Sequence, residues 1–246
     1  MERAMNALIL IGNYIFVPGL AYGCQLALGA LGVTMIYAVL RFSNFGHGEI
    51  MSFDRVIANP PFSLKKWGKE AADVDPYGRF PYGTPPKDAG DFAFVQHMIS
   101  SLNNEGKMGV VVPHGVLFRG ASEMEIRKGI LKDDLLEAVI GLPSSLFYGT
   151  GIPAALLIIN KRKPEERKGK VLFINGELEY QEGKNQNKLN DENIKHIIDV
   201  YDAYTDEKRY SKVVTLDEIK ENDYNLNIRR YADTSPPPEQ FDVHAI

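Results

Sequence analysis

The sequence predicts an α/β fold with a mostly parallel sheet. Three observations point that way. Beyond Phe53, short apolar runs of strand length alternate with amphipathic stretches of helix length. Glycine and proline mark the joints between them. Charged residues recur steadily from Arg41 onward, as in an ordinary folded domain, whereas residues 4–40 contain none.

The elements follow in order. Leu20 to Leu40, "LAYGCQLALGALGVTMIYAVL", is long enough as a helix to span roughly 30 Å, the hydrocarbon thickness of a bilayer. Pro18-Gly19 separates it from the shorter apolar run Ala7–Val17, and Gly29, Ala30 and Gly32 suit close packing in lipid. A membrane helix with membrane contact through residues 20–40 is the expectation, and a buried core helix the alternative. "DRVIAN" reads as a short strand with a polar turn after it. "SLKKWGKEAADVDPYGRFPYGTPPKDAG" reads as a long loop, either functional or disordered. In "DFAFVQHMISSLNNEG" a helix is expected, with Phe92, Val95, Met98/Ile99 and Leu102 on one face and Gly106 as its stop. "KMGVVVPHGVLF" is a strand ending at Pro113, and "EMEIRKGILKDD" a polar surface helix. "LLEAVIGLP" and "AALLIINK" are two strands flanking the loop "SSLFYGTGIP", expected as an antiparallel hairpin at the sheet edge. "KVLFIN" adds a strand, and "DENIKHIIDVYDAY" a helix with Ile194, Ile197/Ile198 and Tyr201 on its apolar face. The proline-rich tail is expected to be poorly ordered. These divisions give segments 1–52, 53–161, 162–233 and 234–246.

Composition narrows the chemistry. Cys24 is the single cysteine, which excludes an intramolecular disulfide and a cysteine-rich zinc site. The net charge of −4 carries no global basic signature, so any DNA contact has to be local or shared with a partner.

The segment that carries chemistry is "FDRVIANPPFS". A strand ends in Asn59, Pro60, Pro61 and Phe62. In open α/β sheets, ligands sit beyond the carboxyl ends of strands. A planar exocyclic amine such as adenine N6 is a poor nucleophile, because its lone pair is delocalised into the ring. Two acceptors at tetrahedral angles draw its N–H bonds out of plane and free that lone pair. The Asn59 side-chain oxygen and the Pro60 carbonyl are suited to this, because prolines fix φ and donate no backbone N–H. Phe62 can stack on a base that has left the duplex. Holding amine and methyl donor in line is chiefly positioning. The plain alternative is a proline-rich turn with Phe62 in the core. Asp91 and His114 are polar candidates for which a structural role is the simpler expectation.

The stretches "FDRVIANPPFS", "DFAFVQHMISSLNNEGKMGVVVPHGVLFRG", "EIRKGILKDDLLEAVIGLPSSLFYGTGIPAALLIINK", "GKVLFIN", "YQEGKNQNKL" and "TLDEIKENDYNLNIRRY" resemble the modification subunit of type I restriction–modification systems. The resemblance implies a Rossmann-like S-adenosylmethionine-dependent methyltransferase fold, of which only the later strands are recognisable here. It implies adenine-N6 DNA methylation with S-adenosyl-L-methionine. It also implies DNA, specificity and restriction subunits as partners, and a cytoplasmic location. It makes Asn59, Pro60, Pro61 and Phe62 the catalytic motif, with Phe147 or Tyr148 as candidates for the far side of the flipped base; the equal alternative for that aromatic is a loop anchor packed on the core. "YNLNIRRY" and "NQNKL" take a structural or subunit-contact role.

The family's Asp-Pro-x-Cys-Gly-x-Gly cofactor loop does not precede Phe53. Residues 1 to about 53 instead resemble the N-terminal membrane segment of branched-chain amino-acid ABC transporter permeases, with Gly46 where that family usually has alanine. The expectation is a chimeric, incomplete copy that does not methylate DNA by itself. The alternatives are a membrane-tethered, non-catalytic binding module or a permease fragment.

Overall fold

The computed structural model describes residues 52–147, 151–184 and 186–234, all within one compact unit, Ile50–Ile246. The apolar segment 20–40, Tyr148 and the tail beyond residue 234 lie outside the described residues. Among the described residues, no helix is long and apolar enough to cross a membrane.

The described elements are β1 (Phe53–Ala58), α1 (Lys69–Ala72), α2 (Asp91–Ser101), β2 (Leu102–Pro113) and α3 (Ser122–Lys132). They continue as β3 (Leu136–Gly141), β4 (Ala154–Asn160), β5 (Lys170–Asn175), α4 (Asp191–Ala203), β6 (Ser211–Thr215) and α5 (Leu216–Glu221). The strands form one sheet in the order β1-β2-β4-β3-β5-β6. Only β1–β2 and β3–β5 pair in parallel; β2–β4, β3–β4 and β5–β6 are antiparallel. The sheet is therefore mixed rather than mostly parallel. The β3–β4 hairpin forms as expected, but it lies inside the sheet, not at its edge. β4 inserts between β2 and β3, and the apolar strand β5 extends the sheet beyond them.

Side-chain alternation divides the core between two faces. Val139, Val171 and Phe173 point to the face covered by α2, α3 and α5, with Phe92, Val95, Ile126, Ile130 and Ile219. Ala138, Ile140, Leu172 and Ile174 point to the other face, where Val200, Ile197, Tyr201 and Tyr204 of α4 and the turn after it cover them. α4 thus buries a face shifted from the expected one: Ile194 and Ile198 are exposed. The shift is consistent with the capping box that Asn190 and Asn193 form, which fixes where the helix starts. α3 is amphipathic rather than wholly superficial, since Glu123, Ile126, Arg127, Ile130 and Leu131 are buried. Among the described residues, no element covers the second face of β1, where Ile57 is 92% exposed.

Leu102–Gly106 is strand, not the last turn of the helix. Leu102 pairs with Phe53, and the register resumes at Arg55–Lys107, so that Asp54 alone faces residues 103–106. Gly106 makes this bulge possible: a Cβ there would lie 2.9 Å from both Leu102 Cβ and the Phe53 carbonyl oxygen. Tertiary pairing overrides the helical periodicity.

A buried ionic cluster joins β3 to α4. Glu137 is fully buried and accepts hydrogen bonds from Arg167 Nη1 (3.0 Å), Asn160 Nδ2 (3.0 Å) and the Tyr201 hydroxyl (3.1 Å). The Arg167 guanidinium lies 4.5 Å from the Tyr204 ring centroid. Removing one partner of such a pair strands the other charge, at a cost of about 3–5 kcal/mol. Glu137→Ala is expected to lower the urea midpoint by that equivalent with the slope m unchanged, and Glu137→Gln by less.

His196 stacks on Tyr210 at 4.3 Å, and its ring nitrogens face Glu179 (2.6 Å) and Glu207 (3.3 Å). The hydrogen bond to Glu179, helped by Glu207, raises its pKa above the ordinary 6.5 against a smaller burial effect. A raised folded-state pKa stabilises the fold fully below the unfolded value, and that contribution is lost as pH rises through the folded value. Unfolding free energy is expected to fall as pH rises from the ordinary histidine value through the raised one, and His196→Gln to flatten that slope in denaturation series.

Candidate active-site turn at the carboxyl end of the sheet

β1 ends at Ala58, and Asn59 to Phe62 leave the sheet at its carboxyl edge. Asn59 and Pro61 are exposed, and Pro60 and Phe62 are half-buried. The turn therefore leaves Asn59 open to solvent while Phe62 rests on the protein.

The residues just beyond the turn are held tightly. Ser63 has φ +49, a left-handed conformation uncommon for a residue with a side chain. Its N–H donates to Asp91 Oδ1 at 2.7 Å. Gly90 N–H donates to the Leu64 carbonyl at 3.1 Å, and Lys66 N–H to the Lys87 carbonyl at 3.1 Å. Trp67, 6% exposed, donates its indole N–H to the Pro86 carbonyl at 2.8 Å. The 63–90 loop is thus folded back on itself, with α1 inside it, and its two ends meet beside the turn.

Phe147 lies in the β3–β4 loop. Its ring meets Phe62 edge to face, with centroids 6.1 Å apart and planes at 79°. The structure therefore brings these two aromatic candidates together. The Phe147 loop is braced from "NQNKL": Gln186 Nε2 donates to the Leu146 carbonyl at 2.5 Å, Asn187 Nδ2 to the Ser144 carbonyl at 2.9 Å, and Asn187 N–H to the Ser145 carbonyl at 3.0 Å. No local sequence signal marks this brace, because it spans some 40 residues.

His114 follows β2 at the same edge. Its Nε2 lies 3.7 Å from Glu177 Oε1, and Glu177 also accepts from Arg229 Nη2 at 2.6 Å. Burial pushes the His114 imidazole below its usual value, with Glu177 opposing the shift. His114 thus belongs with Glu177, whereas Asp91 touches the residue directly after the motif. "YNLNIRRY" packs over the strand ends: Tyr231 stacks on Phe173 at 4.3 Å, Ile228 is fully buried, and Asn175 Nδ2 donates to the Ala232 carbonyl at 2.8 Å.

Comparison with known proteins assigns the family. Residues 38–240 match the model of the N-6 DNA Methylase family. The chain is 43% identical over 205 residues to the type I restriction enzyme MjaVII methylase subunit of Methanocaldococcus jannaschii, covering 80% of this chain and 35% of the relative. It is 45% identical over 195 residues to the MjaVIII methylase subunit of the same organism, covering 77% of this chain and 33% of the relative. The chain therefore spans about a third of the length of these relatives. Among solved structures, the type I restriction–modification system methyltransferase subunit of Streptococcus thermophilus superposes with a TM-score of 0.72 at 38% identity, covering 78% of this chain and 40% of that one. With its sheet and its sequence both agreeing with these relatives, the chain belongs to the N-6 DNA Methylase family.

Proposed function

We propose that the described residues form the target-base side of an adenine-N6 DNA methyltransferase of the type I modification-subunit kind. The whole enzyme would use S-adenosyl-L-methionine and work with DNA, specificity and restriction subunits in the cytoplasm. One observation carries the reading: an Asn59-Pro60-Pro61-Phe62 turn at the carboxyl end of β1, fixed from behind by the 87–91 segment and faced by Phe147.

Each residue has a definite task. Asn59 Oδ1 and the Pro60 carbonyl accept the two N–H bonds of the amine and turn its lone pair outward. Phe62 offers its face to the base. An edge-to-face pair leaves no slot for a flat base between the rings, so Phe147 shields Phe62 and swings aside when a base stacks. No basic side chain is required for these steps, because the site acts by positioning.

The cofactor side is different. Among the described residues, no strand is followed by a glycine-rich turn of the Asp-Pro-x-Cys-Gly-x-Gly type. These residues do not fit the methionine end of S-adenosyl-L-methionine, and no step through that group is assigned to them.

Residues 1–53 keep their permease-like reading on sequence alone, with membrane contact through residues 20–40. The N-6 DNA Methylase match begins inside that segment, at residue 38. DNA reads running unbroken across the codons for Met51 to Asp54 are expected if the join is genuine, and their absence would refute it.

The base-binding role is checked with a single-stranded oligonucleotide carrying 2-aminopurine. Stacking contributes about 1–3 kcal/mol per base. Quenching on the wild-type protein is therefore expected, with affinity weakened on the order of 10-fold in Phe62→Ala. Asn59→Ala should weaken it less. Identical quenching in all three proteins would sink the assignment.

A further inference from the structure

The residue directly after the turn is bonded to a charge cluster that lies outside the turn's own sequence. Asp91 is the first residue of α2 and only 2% exposed. One carboxylate oxygen takes the Ser63 N–H at 2.7 Å; the other takes Arg119 Nη2 at 3.2 Å and Nη1 at 3.3 Å. The same Nη1 reaches Glu123 Oε1 at 3.3 Å. Glu123 is 1% exposed and lies one helical turn beyond Arg119 in sequence, at the start of α3. Gly115 leaves room for the guanidinium: a Cβ there would lie 2.6 Å from Arg119 Nε.

We propose that Asp91 is the positioning residue of the Asn59–Phe62 turn, acting through the Ser63 N–H, and that Arg119 holds Asp91 in place. The proposal rests on the base-binding reading of the turn for its functional meaning, and on the geometry alone for its mechanical content.

Three physical points support it. Ser63 follows Phe62 directly, so its N–H belongs to the peptide plane that leaves the motif. Its left-handed φ of +49 is a conformation a serine holds only when surrounding contacts fix it. A charge-assisted bond to a buried carboxylate is about twice as strong as a neutral one and can supply that restraint. The Asp91 carboxylate also sits at the N-terminus of an 11-residue helix, where negative charge is favoured.

Glu123 decides how Arg119 is shared. The charged groups around it are Arg119, Asp91 and Arg127. Arg127 is already committed to the Val116 carbonyl (3.0 Å) and the Tyr224 carbonyl (3.1 Å). Burial and, to a lesser degree, Asp91 push the Glu123 carboxyl up to about 7, against the pull of Arg119 and Arg127. That upward shift weakens Glu123 as a competitor, and the geometry agrees: Asp91 takes both Nη1 and Nη2, whereas Glu123 shares Nη1 alone.

Amide hydrogen exchange, followed residue by residue by NMR on the full chain, tests this. Asp91→Ala is expected to speed Ser63 exchange at least 10-fold while the amides of β2 and β4 keep their rates. Asp91→Asn keeps an acceptor oxygen and is expected to restore part of the protection. Arg119→Gln should fall between Asp91→Ala and wild type. Ser63 exchange that stays unchanged in Asp91→Ala, or rises only as much as the strand amides do, overturns the proposal. The same variants are then scored for 2-aminopurine quenching. Loss of Ser63 protection with a matching loss of quenching supports the positioning role. Loss of protection in a protein whose wild type does not quench refutes the base-binding reading and leaves the mechanical link established.

Discussion

The structure depends on the insertion of β4 between β2 and β3. β4 runs antiparallel to both neighbours, so β3 points the same way as β2, and β2 the same way as β1. Four strand ends, those of β1, β2, β3 and β5, consequently meet one edge of the sheet. The Asn59–Phe62 turn, His114, the Phe147 loop and Glu177 follow those four ends. Had the hairpin formed the sheet edge with β4 outermost, β3 would lie beside β2, and β5 would lose its place against β3. The contact between Phe62 and Phe147 is thus a consequence of strand order, although 85 residues separate the two in sequence.

Loops at that edge are long, and long loops are entropically costly to order. Two different devices hold them. The exit of the Asn59 turn is tied by a buried carboxylate, Asp91, and by backbone bonds to residues 87–90. The Phe147 loop is tied by neutral amides, Gln186 and Asn187, bonding to its carbonyls. The first device carries charge, on a carboxylate that is itself buried. The second is neutral and closer to solvent. The charge-assisted restraint is on the exit of the turn, and the neutral one is on the loop that carries Phe147.

Much of this was legible in the sequence, for reasons tied to particular residues. Asn59 to Phe62 could be read because two prolines after a strand have few uses, whereas Phe147 entered only through the family resemblance and its meeting with Phe62 carried no local signal. β5 and α4 were legible from composition. The start of β2 was not: Leu102 continues the apolar spacing of α2, and only its partner Phe53 and the tight space around Gly106 make it strand. The position of the hairpin was not legible either, because strand order is set by long-range pairing. Ile194 and Ile198 fit an apolar face by spacing alone, yet the helix that starts at the Asn190 cap turns them outward. Arg119 carried no signal at all. It lies 28 residues from Asp91, in a segment that reads as an ordinary loop.

The choice of a buried acid at position 91 has its own logic. Burying a carboxylate costs several kcal/mol unless charge and hydrogen bonds return it. Here the return comes from three sources: a guanidinium, a helix N-terminus and the Ser63 N–H. The first two would suffice for an acid that only caps a helix. The third has no value to α2, because Ser63 lies outside it, and it falls on the residue with left-handed backbone directly behind the motif. A neutral asparagine could accept the same bond but would leave Arg119 facing Glu123 alone, with the guanidinium drawn toward α3 and away from the turn. The acid therefore serves two ends at once: it keeps Arg119 between α2 and α3, and it makes the peptide after Phe62 part of the rigid body of the domain rather than part of the loop.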